Sequence, residues 1–568
     1  MAQALVSGLV YLVFHLAAGY VWFSYWQQRR WTSLDSLLAA LLLVVAQTIA
    51  GVFLLGWLGL FSTASIWLWQ IIVIFIVGWF SRRTIRSAWK VLIGRQAAEY
   101  IVVGLVFLLG LLVIALSFNS RDISFDSLNY HLPWAAYLLQ QGKIEYFITL
   151  IPWINVYPKA IEAWQAWHLA FWHNQSLLQT TNLLFWLLGA LTVYALAREF
   201  KISQGLAFLA GLTYALVPVN LLQLRTNYID LALSAVFLLL LYWSIKKYDE
   251  SWWLWSITAG ILIGSKATMI PLVILATIWK LVMGRPWPYK WPWYVLMILS
   301  FGSFFYIRNW WAHGTPLYPV GPGLISLDQL LGNSQAAVLK GHNYWEQLWI
   351  NFSTVNGDYS YQMNPGGFGW LWLGVLLPAL IFFLVWGWKQ RQWKFYSLII
   401  VLVLGFLIMP ANWWLRYSIF VTAAGSLALT GIINCLHGQW RWLVITWTLL
   451  LIINSCLITS NMWQPTQITD RFPEFVGLEA IQQPGSVVAY DGRLQILFPL
   501  WNINLSNTVI FVSAAAIPYE KWRASLEAAK VDYLVTKYPS FELQFIQQHP
   551  QDFNLVRDNG DVKFWILK

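Results

Sequence analysis

Apolar windows of bilayer length recur along most of this chain, and that recurrence narrows the fold more than any motif does. A helix crosses a bilayer with about 17–25 predominantly apolar residues, and about fourteen such windows can be placed here. They start near Val6, Leu37, Ser65, Tyr100, Leu177, Gly205, Ala232, Trp252, Thr268, Tyr294, Gly369, Ser397, Ser418 and Trp442. The pair Trp252–Ser265 and Thr268–Leu281 is the shortest. Only 10% of the 568 residues are charged, against about 25% in soluble domains. The sequence therefore reads as a polytopic, mainly α membrane protein. The first window has no basic residue before it and no small-residue cleavage site, so it is expected to be a retained helix. Cys435 and Cys456 both fall in apolar windows and offer neither a disulfide framework nor metal spacing.

Most of the net charge of +11 follows topology. With the N-terminus outside, the inner loops collect Arg29, Arg30, Arg82, Arg83, Arg86, Lys90, Arg95, Arg198, Lys201, Lys246, Lys247, Lys280, Arg285, Lys290, Lys389, Arg391, Lys394 and Arg441. The outer side of the membrane part keeps Arg121, Lys143, Lys159, Arg225, Lys266, Arg308, Lys340 and Arg416. That asymmetry obeys the positive-inside rule. Single outer cations at span ends often snorkel to headgroups. Several on the same face as a carboxylate favour an anionic ligand.

That carboxylate is Asp126, in the polar island Phe125-Asp126-Ser127-Leu128-Asn129-Tyr130-His131-Leu132-Pro133 just past the fourth window. An acid so close to lipid is a functional-site hypothesis by default; a helix cap is the plainer role. No span falls between Asn119 and Ser176. Leu132–Gln141 reads as a short helix, with Pro133 in its first turn and Gly142 past its end. Pro158–Asn174 reads as a second, Trp-rich and amphipathic, which predicts a helix lying in the membrane interface.

These residues resemble the GT-C glycosyltransferases that use polyprenyl-phosphate sugars, nearest the protein O-mannosyltransferase and aminoarabinose-transferase relatives of bacterial type. The matching elements come in order: Asp126 at the start of the first large outer loop; Tyr157-Pro158-Lys159-Ala160-Ile161-Glu162; Asn227-Tyr228-Ile229-Asp230-Leu231; Gly264-Ser265-Lys266; Arg308-Asn309 with Gly314-Thr315-Pro316; Gly366-Gly367-Phe368-Gly369; and Arg416-Tyr417. The resemblance spans about Tyr100 to Trp463. Asp126 is followed by Ser127 where the protein O-mannosyltransferases carry Asp-Glu, three extra spans precede the loop, and the tail lacks β-trefoil repeats.

The resemblance implies a GT-C-type helical bundle, with extra membrane helices over 1–98 and a catalytic module over 99–463 with its first outer loop at 119–176; the residue pattern after it implies a small extracytoplasmic α/β domain over 464–568. The resemblance also implies a bacterial inner or plasma membrane protein that moves a sugar from polyprenyl phosphate to a hydroxyl on lipid, glycan or protein, with no nucleic-acid partner. Asp126 is the expected base, in a single displacement that inverts the anomeric centre. Tyr130, His131, Lys159, Glu162, Arg225, Asp230, Lys266, Arg308, Arg416 and Tyr417 are the expected substrate-binding residues, with Arg416 and Lys159 foremost for the phosphate. No cofactor is specified. Asp126, Glu162 and His131 admit a divalent metal, but no set of residues has ligand spacing. In the tail, Ser486–Tyr490, Thr508–Val512, Val531–Thr536 and Val562–Leu567 read as strands, and Pro518–Ala529 and Ser540–His549 as helices. A transporter of lipid-linked glycans is the competing class, but it needs polar residues near mid-membrane.

Overall fold

The computed structural model describes residues 2–85, 110–118, 120–175, 177–284, 289–321, 340–355, 367–390, 392–481 and 483–568. Tyr100 to residue 109 of the fourth span, the basic residues Arg86, Lys90, Arg95, Arg285 and Arg391, and Gly366 lie outside these residues. The helices of eight or more residues are α1 (Ala2–Gln28), α2 (Ser33–Trp57), α3 (Thr63–Ser81), α4 (110–118), α5 (Leu132–Gln141), α6 (Ala160–Trp172), α7 (Leu183–Glu199), α8 (Gln204–Ala215), α9 (Asp230–Ile245) and α10 (Ser251–Ser265). They continue with α11 (Ile270–Val282), α12 (Trp291–Gly302), α13 (Phe304–His313), α14 (Tyr344–Ser353), α15 (Leu377–Trp386), α16 (Trp393–Ile408), α17 (Val421–Cys435), α18 (Gly438–Ile458), α19 (Tyr519–Ala528) and α20 (Phe541–Gln548). A helix stands at every expected span, including the two short ones. Among the described residues, six stretches are long and apolar enough to cross a membrane, among them most of α1, and α2, α3 and α18.

Local signals set the helix ends. Thr32 caps α2 by accepting the Asp35 N–H at 3.1 Å, and Gly142 closes α5 in the left-handed region with φ +70°. Small residues set the closest packing. A Cβ on Gly264 would stand 2.2 Å from the Phe301 carbonyl oxygen, so only glycine lets α10 approach α12 this closely.

The helices alternate so that charges collect at their two ends. At one end Arg29 pairs with Glu250 at 2.9 Å, and Lys246 with Asp35 at 2.7 Å and with Glu199. At the other end lie Asp126, Lys266 and Arg416. α6 departs from the sequence reading. Every one of its residues is buried, because α1, α2 and α3 pack over it: Tyr11 hydrogen-bonds His168, and the Thr63 hydroxyl donates to the Ala170 carbonyl at 2.8 Å. It is a core helix, and the interfacial placement expected from its amphipathic pattern is corrected.

The C-terminal region carries a five-stranded sheet in the order β2-β1-β3-β5-β4, from β1 (Val487–Tyr490), β2 (Thr508–Phe511), β3 (Tyr533–Lys537), β4 (Phe553–Asn559) and β5 (Val562–Leu567). β2-β1-β3 are parallel and β3-β5-β4 antiparallel. Its edge rests on α5. The Gln140 side chain exchanges bonds of 3.0 and 3.2 Å with the backbone of Val509, as a neighbouring strand would, and Tyr137 meets Tyr490 at 3.0 Å.

Candidate active site

The site begins where the chain leaves α4. Asp122 accepts the Ser124 N–H at 2.8 Å in an Asx turn, and its second oxygen takes the backbone and side-chain N–H of Asn227 at 2.6 and 2.8 Å. This lashes the first loop to the segment that ends in Asp230. Four residues on, Asp126 enters a π-helical turn, Ser127–His131. Such turns widen the helix and often mark functional sites. Here the turn leaves the Leu128 carbonyl to accept the Leu497 N–H at 3.1 Å, and the Asn129 amide donates to the Gln495 carbonyl at 2.7 Å. The C-terminal region therefore grips the turn that carries Asp126.

Two ionic clusters result. In the first, Arg416 Nη2 meets Asp126 Oδ2 at 2.7 Å, Arg416 Nη1 meets Asp230 Oδ2 at 3.5 Å, and Lys266 Nζ meets Asp230 Oδ1 at 2.9 Å. Tyr228, Trp414 and Tyr417 face the guanidinium at 4.5, 4.5 and 5.0 Å, and Lys266 lies 3.5 Å over the Tyr417 ring. The Arg416 and Asp230 side chains are each 4% exposed, against 20% for Asp126 and 23% for Lys266. The cluster therefore opens on the Asp126 and Lys266 side. In the second, Glu162 Oε1 takes both His131 Nδ1, at 2.8 Å, and Lys159 Nζ, at 3.3 Å, all three side chains being buried. Tyr130 lies 5.0 Å from the Lys159 ammonium and packs against the His131 ring.

Burial pushes the Asp126 carboxyl upward, but Arg416, with His131 and Lys266 behind it, holds it below the usual carboxylate range. Burial likewise opposes the Glu162 charge, and Lys159 and His131 overcome it. The Lys159 ammonium is lowered by burial, with Arg308 adding to the effect against the pull of Glu162.

Two expected residues stand apart. Arg225 donates to the Gln464 carbonyl at 3.0 Å, the Ser120 hydroxyl at 2.6 Å and the Gln179 side chain at 3.2 Å, and so braces the loop behind the site. Arg308 lies over Phe305 at 4.4 Å, and its Nε, Nη1 and Nη2 are all buried without a hydrogen-bond partner. Arg416 and Lys159 were the foremost phosphate cations in the sequence, yet both are already matched by carboxylates. Among the described residues expected to bind substrate, Arg308 is the one whose buried guanidinium has no hydrogen-bond partner. The residues fit a divalent metal poorly: ammonium and imidazole both occupy Glu162 Oε1, Asp126 faces a guanidinium, and among the described residues no group of three His, Cys, Asp or Glu side chains could hold an ion.

No protein-family model and no curated protein sequence matches the chain. Solved structures do. ArnT from Cupriavidus metallidurans in the apo state matches with TM-score 0.50 at 13% identity, covering 83% of this chain and 98% of that one. The chain has the GT-C fold. ArnT from the same organism bound to undecaprenyl phosphate gives TM-score 0.49 at 11% identity with the same coverage. In its GT-C setting the site offers one partly exposed carboxylate beside fixed cations and aromatic rings. That combination can accept a proton and stabilise a nearby anion.

Proposed function

We propose that this protein transfers a sugar from a polyprenyl phosphate to a hydroxyl acceptor, at the extracytoplasmic end of its helix bundle, with inversion. The observation that carries the reading is the pairing of a partly exposed Asp126 with Arg416; a further cation, Arg308, has buried donors without partners. The acceptor O–H gives its proton to the Asp126 carboxylate as its oxygen bonds to the anomeric carbon. The bond from that carbon to the phosphate oxygen breaks, and the electron pair leaves on polyprenyl phosphate. A positioned base contributes about 10²–10⁴-fold. Cations aimed at the leaving phosphate stabilise the charge that develops there; the residues we assign to that role are Arg308, whose donors are unmatched, and Lys159, whose charge Arg308 influences. Tyr130 and Tyr417 supply ring faces for the sugar.

A transporter is the weaker reading, because the buried ion pairs described here gather at helix ends: Asp35 in the first turn of α2, Lys246 just past α9, Lys266 just past α10. The deciding experiment incubates the purified protein with a panel of polyprenyl-phosphate sugars and a hydroxyl acceptor. Release of polyprenyl phosphate with formation of an inverted glycoside supports the proposal. No consumption of any donor by folded protein refutes it.

A further inference from the structure

The two ionic clusters of the site meet at His131. The π-helical turn that carries Asp126 closes its ring from the Leu132 N–H to the Ser127 carbonyl, five residues back, where an α-turn closes at four. The wider turn brings the fifth residue after Asp126 round towards it, and that residue is His131. After Arg416, His131 is the group whose charge bears most on the Asp126 carboxyl. Its Nδ1 meets Glu162 Oε1 at 2.8 Å, and its Nε2 has no hydrogen-bond partner among the described residues. Tyr130 lies against the imidazole with ring centres 4.2 Å apart, which fixes its orientation. A neutral imidazole that donates through Nδ1 presents Nε2 as a proton acceptor.

Behind His131 the bonds continue. Glu162 Oε1 also accepts from Lys159 Nζ at 3.3 Å, while Glu162 Oε2 is buried with no partner. One carboxylate oxygen therefore links the imidazole to the ammonium. None of the three side chains is more than 4% exposed, so the link is shielded from bulk water. Burial and Arg308 loosen the hold of Lys159 on its proton, against the pull of Glu162, and the balance lies below the usual lysine range. Lys159 is thus both a cation for the phosphate and a group able to give a proton up.

Inverting transfer needs such a path. Inversion sets the entering and leaving oxygens on opposite faces of the anomeric carbon, so Asp126 takes its proton on the far side from the phosphate. The leaving group is a phosphate monoester, which takes up a second proton at about pH 6. Asp126 is held below the usual carboxylate range, so passing the proton from one to the other is downhill. We propose that His131, Glu162 and Lys159 carry a proton from Asp126 to the leaving phosphate. The proposal rests on the glycosyl-transfer reading and adds how the base is reset. Asp126 gives its proton to His131 Nε2, and His131 gives its Nδ1 proton to Glu162. Lys159 gives one Nζ proton to the phosphate and takes its replacement from Glu162. One proton enters the chain and one leaves it. Both carboxylates end ionised and Lys159 ends as an ammonium. His131 ends with its proton on the other ring nitrogen and returns to its first tautomer once the products leave.

Measurements on the full-length purified protein with a polyprenyl-phosphate sugar test the relay, each variant being checked for folding by melting. His131→Gln can keep a bond to Glu162 but carries no proton, so its kcat should fall at least tenfold with the donor KM unchanged. In His131→Ala, imidazole in the buffer should restore turnover, and pyrazole, of the same size but a far weaker base, should not. The third measurement needs no variant to fold. In graded mixtures of H2O and D2O the single-turnover rate of wild-type protein should fall along a curve, because several protons move together. In His131→Gln it should fall along a straight line. Wild-type turnover in His131→Gln, equal rescue by the two azoles, or a straight line in wild-type protein each overturns the relay and leaves glycosyl transfer standing. Wild-type protein that consumes no donor overturns both.

Discussion

Replacing Asp126 by Asn tests the base and the ion pair together, and the structure separates the two effects. Asn keeps the size of Asp and can still accept one bond from Arg416 Nη2, but it takes no proton at neutral pH. If Asp126 is the base, turnover falls by about 10²–10⁴-fold. The cost in stability is a different quantity. Asp126, Asp230, Arg416 and Lys266 balance as two carboxylates against two cations; Asp126→Asn leaves that buried group with one excess positive charge. Breaking a fully buried pair costs about 3–5 kcal/mol. Asp126 is 20% exposed and Asp230 stays 3.5 Å from Arg416, so a charged hydrogen bond of about 1.5–3 kcal/mol is the better scale. Arg416→Gln on the Asn background restores neutrality. Melting of the four proteins in one detergent should show the double variant more stable than the two single losses added together, a coupling of the same size. Donor turnover, followed by release of polyprenyl phosphate, should stay as low in the double variant as in Asp126→Asn. If folded Asp126→Asn kept more than about a tenth of wild-type turnover, Asp126 would not be a base with its usual 10²–10⁴-fold effect, and Asp230 or Glu162 would take its place in the reasoning.

The other expectations are briefer. Arg308→Gln should raise the donor KM at least tenfold with little change in melting, because it removes no internal hydrogen bond; Arg225→Gln should do the reverse, and donor titrations with thermal melts on both variants check the contrast. Because Arg416 holds the Asp126 carboxyl below the usual range, the acid limb of kcat/KM should lie below that range, and Arg416→Gln should move it upward; a pH profile of each protein decides. By the same sign, the pair stabilises the fold above the unfolded-state value and that contribution is lost as pH falls through the lowered native value. For orientation, in protein lacking Cys435 and Cys456, a Cys at Glu520 should react with an impermeant thiol reagent in intact cells and one at Ser203 should not; the opposite pattern would put the site on the cytoplasmic side.

The membrane helices were legible because run length alone separates a span from a loop, and even the short pair α10 and α11 falls where the apolar windows end. Gly142 and Pro133 placed α5 to the residue, since helix termini are written locally. α6 was misread for a non-local reason. Its Trp residues alternate with Lys159, Glu162 and Gln165, a pattern that suits an interface, but α1–α3 cover the side that lipid headgroups would have occupied. β4 was missed because Arg557 and Asp558 interrupt an edge strand, where charge is common. Within the site, the sequence put Arg416 and Lys159 foremost for the phosphate and gave no means to sort Arg225, Lys266 and Arg308 behind them. Their partners come from segments far apart in the chain: Asp126 for Arg416 across 290 positions, Ser120 for Arg225 across 105. Asp122 was passed over, although Asp122-Ile123-Ser124 has the spacing of an Asx turn.

If Asp126 is the base we propose, the charge balance gives a reason why it can work while so strongly held. In the resting site Arg416 is shared by Asp126 and Asp230, and an ionised Asp126 locked to a guanidinium is a weak proton acceptor. A phosphate held on Arg308 brings its own negative charge into the site, and that charge competes with Asp126 for the pull of Arg416. If it draws Arg416 even partly away, burial is left as the largest influence on Asp126, and burial pushes a carboxyl upward. Donor binding would then strengthen the base at the moment the anomeric carbon is in place, and proton transfer without a bound donor would be disfavoured. In that proposal Asp230 would make the exchange reversible: fixed at 2.9 Å to Lys266 and 4% exposed, it would keep Arg416 charged and seated while Asp126 lets go. On this view the two carboxylates divide the work by their exposure, Asp230 anchoring the cation from the buried side and Asp126 meeting the acceptor from the open one.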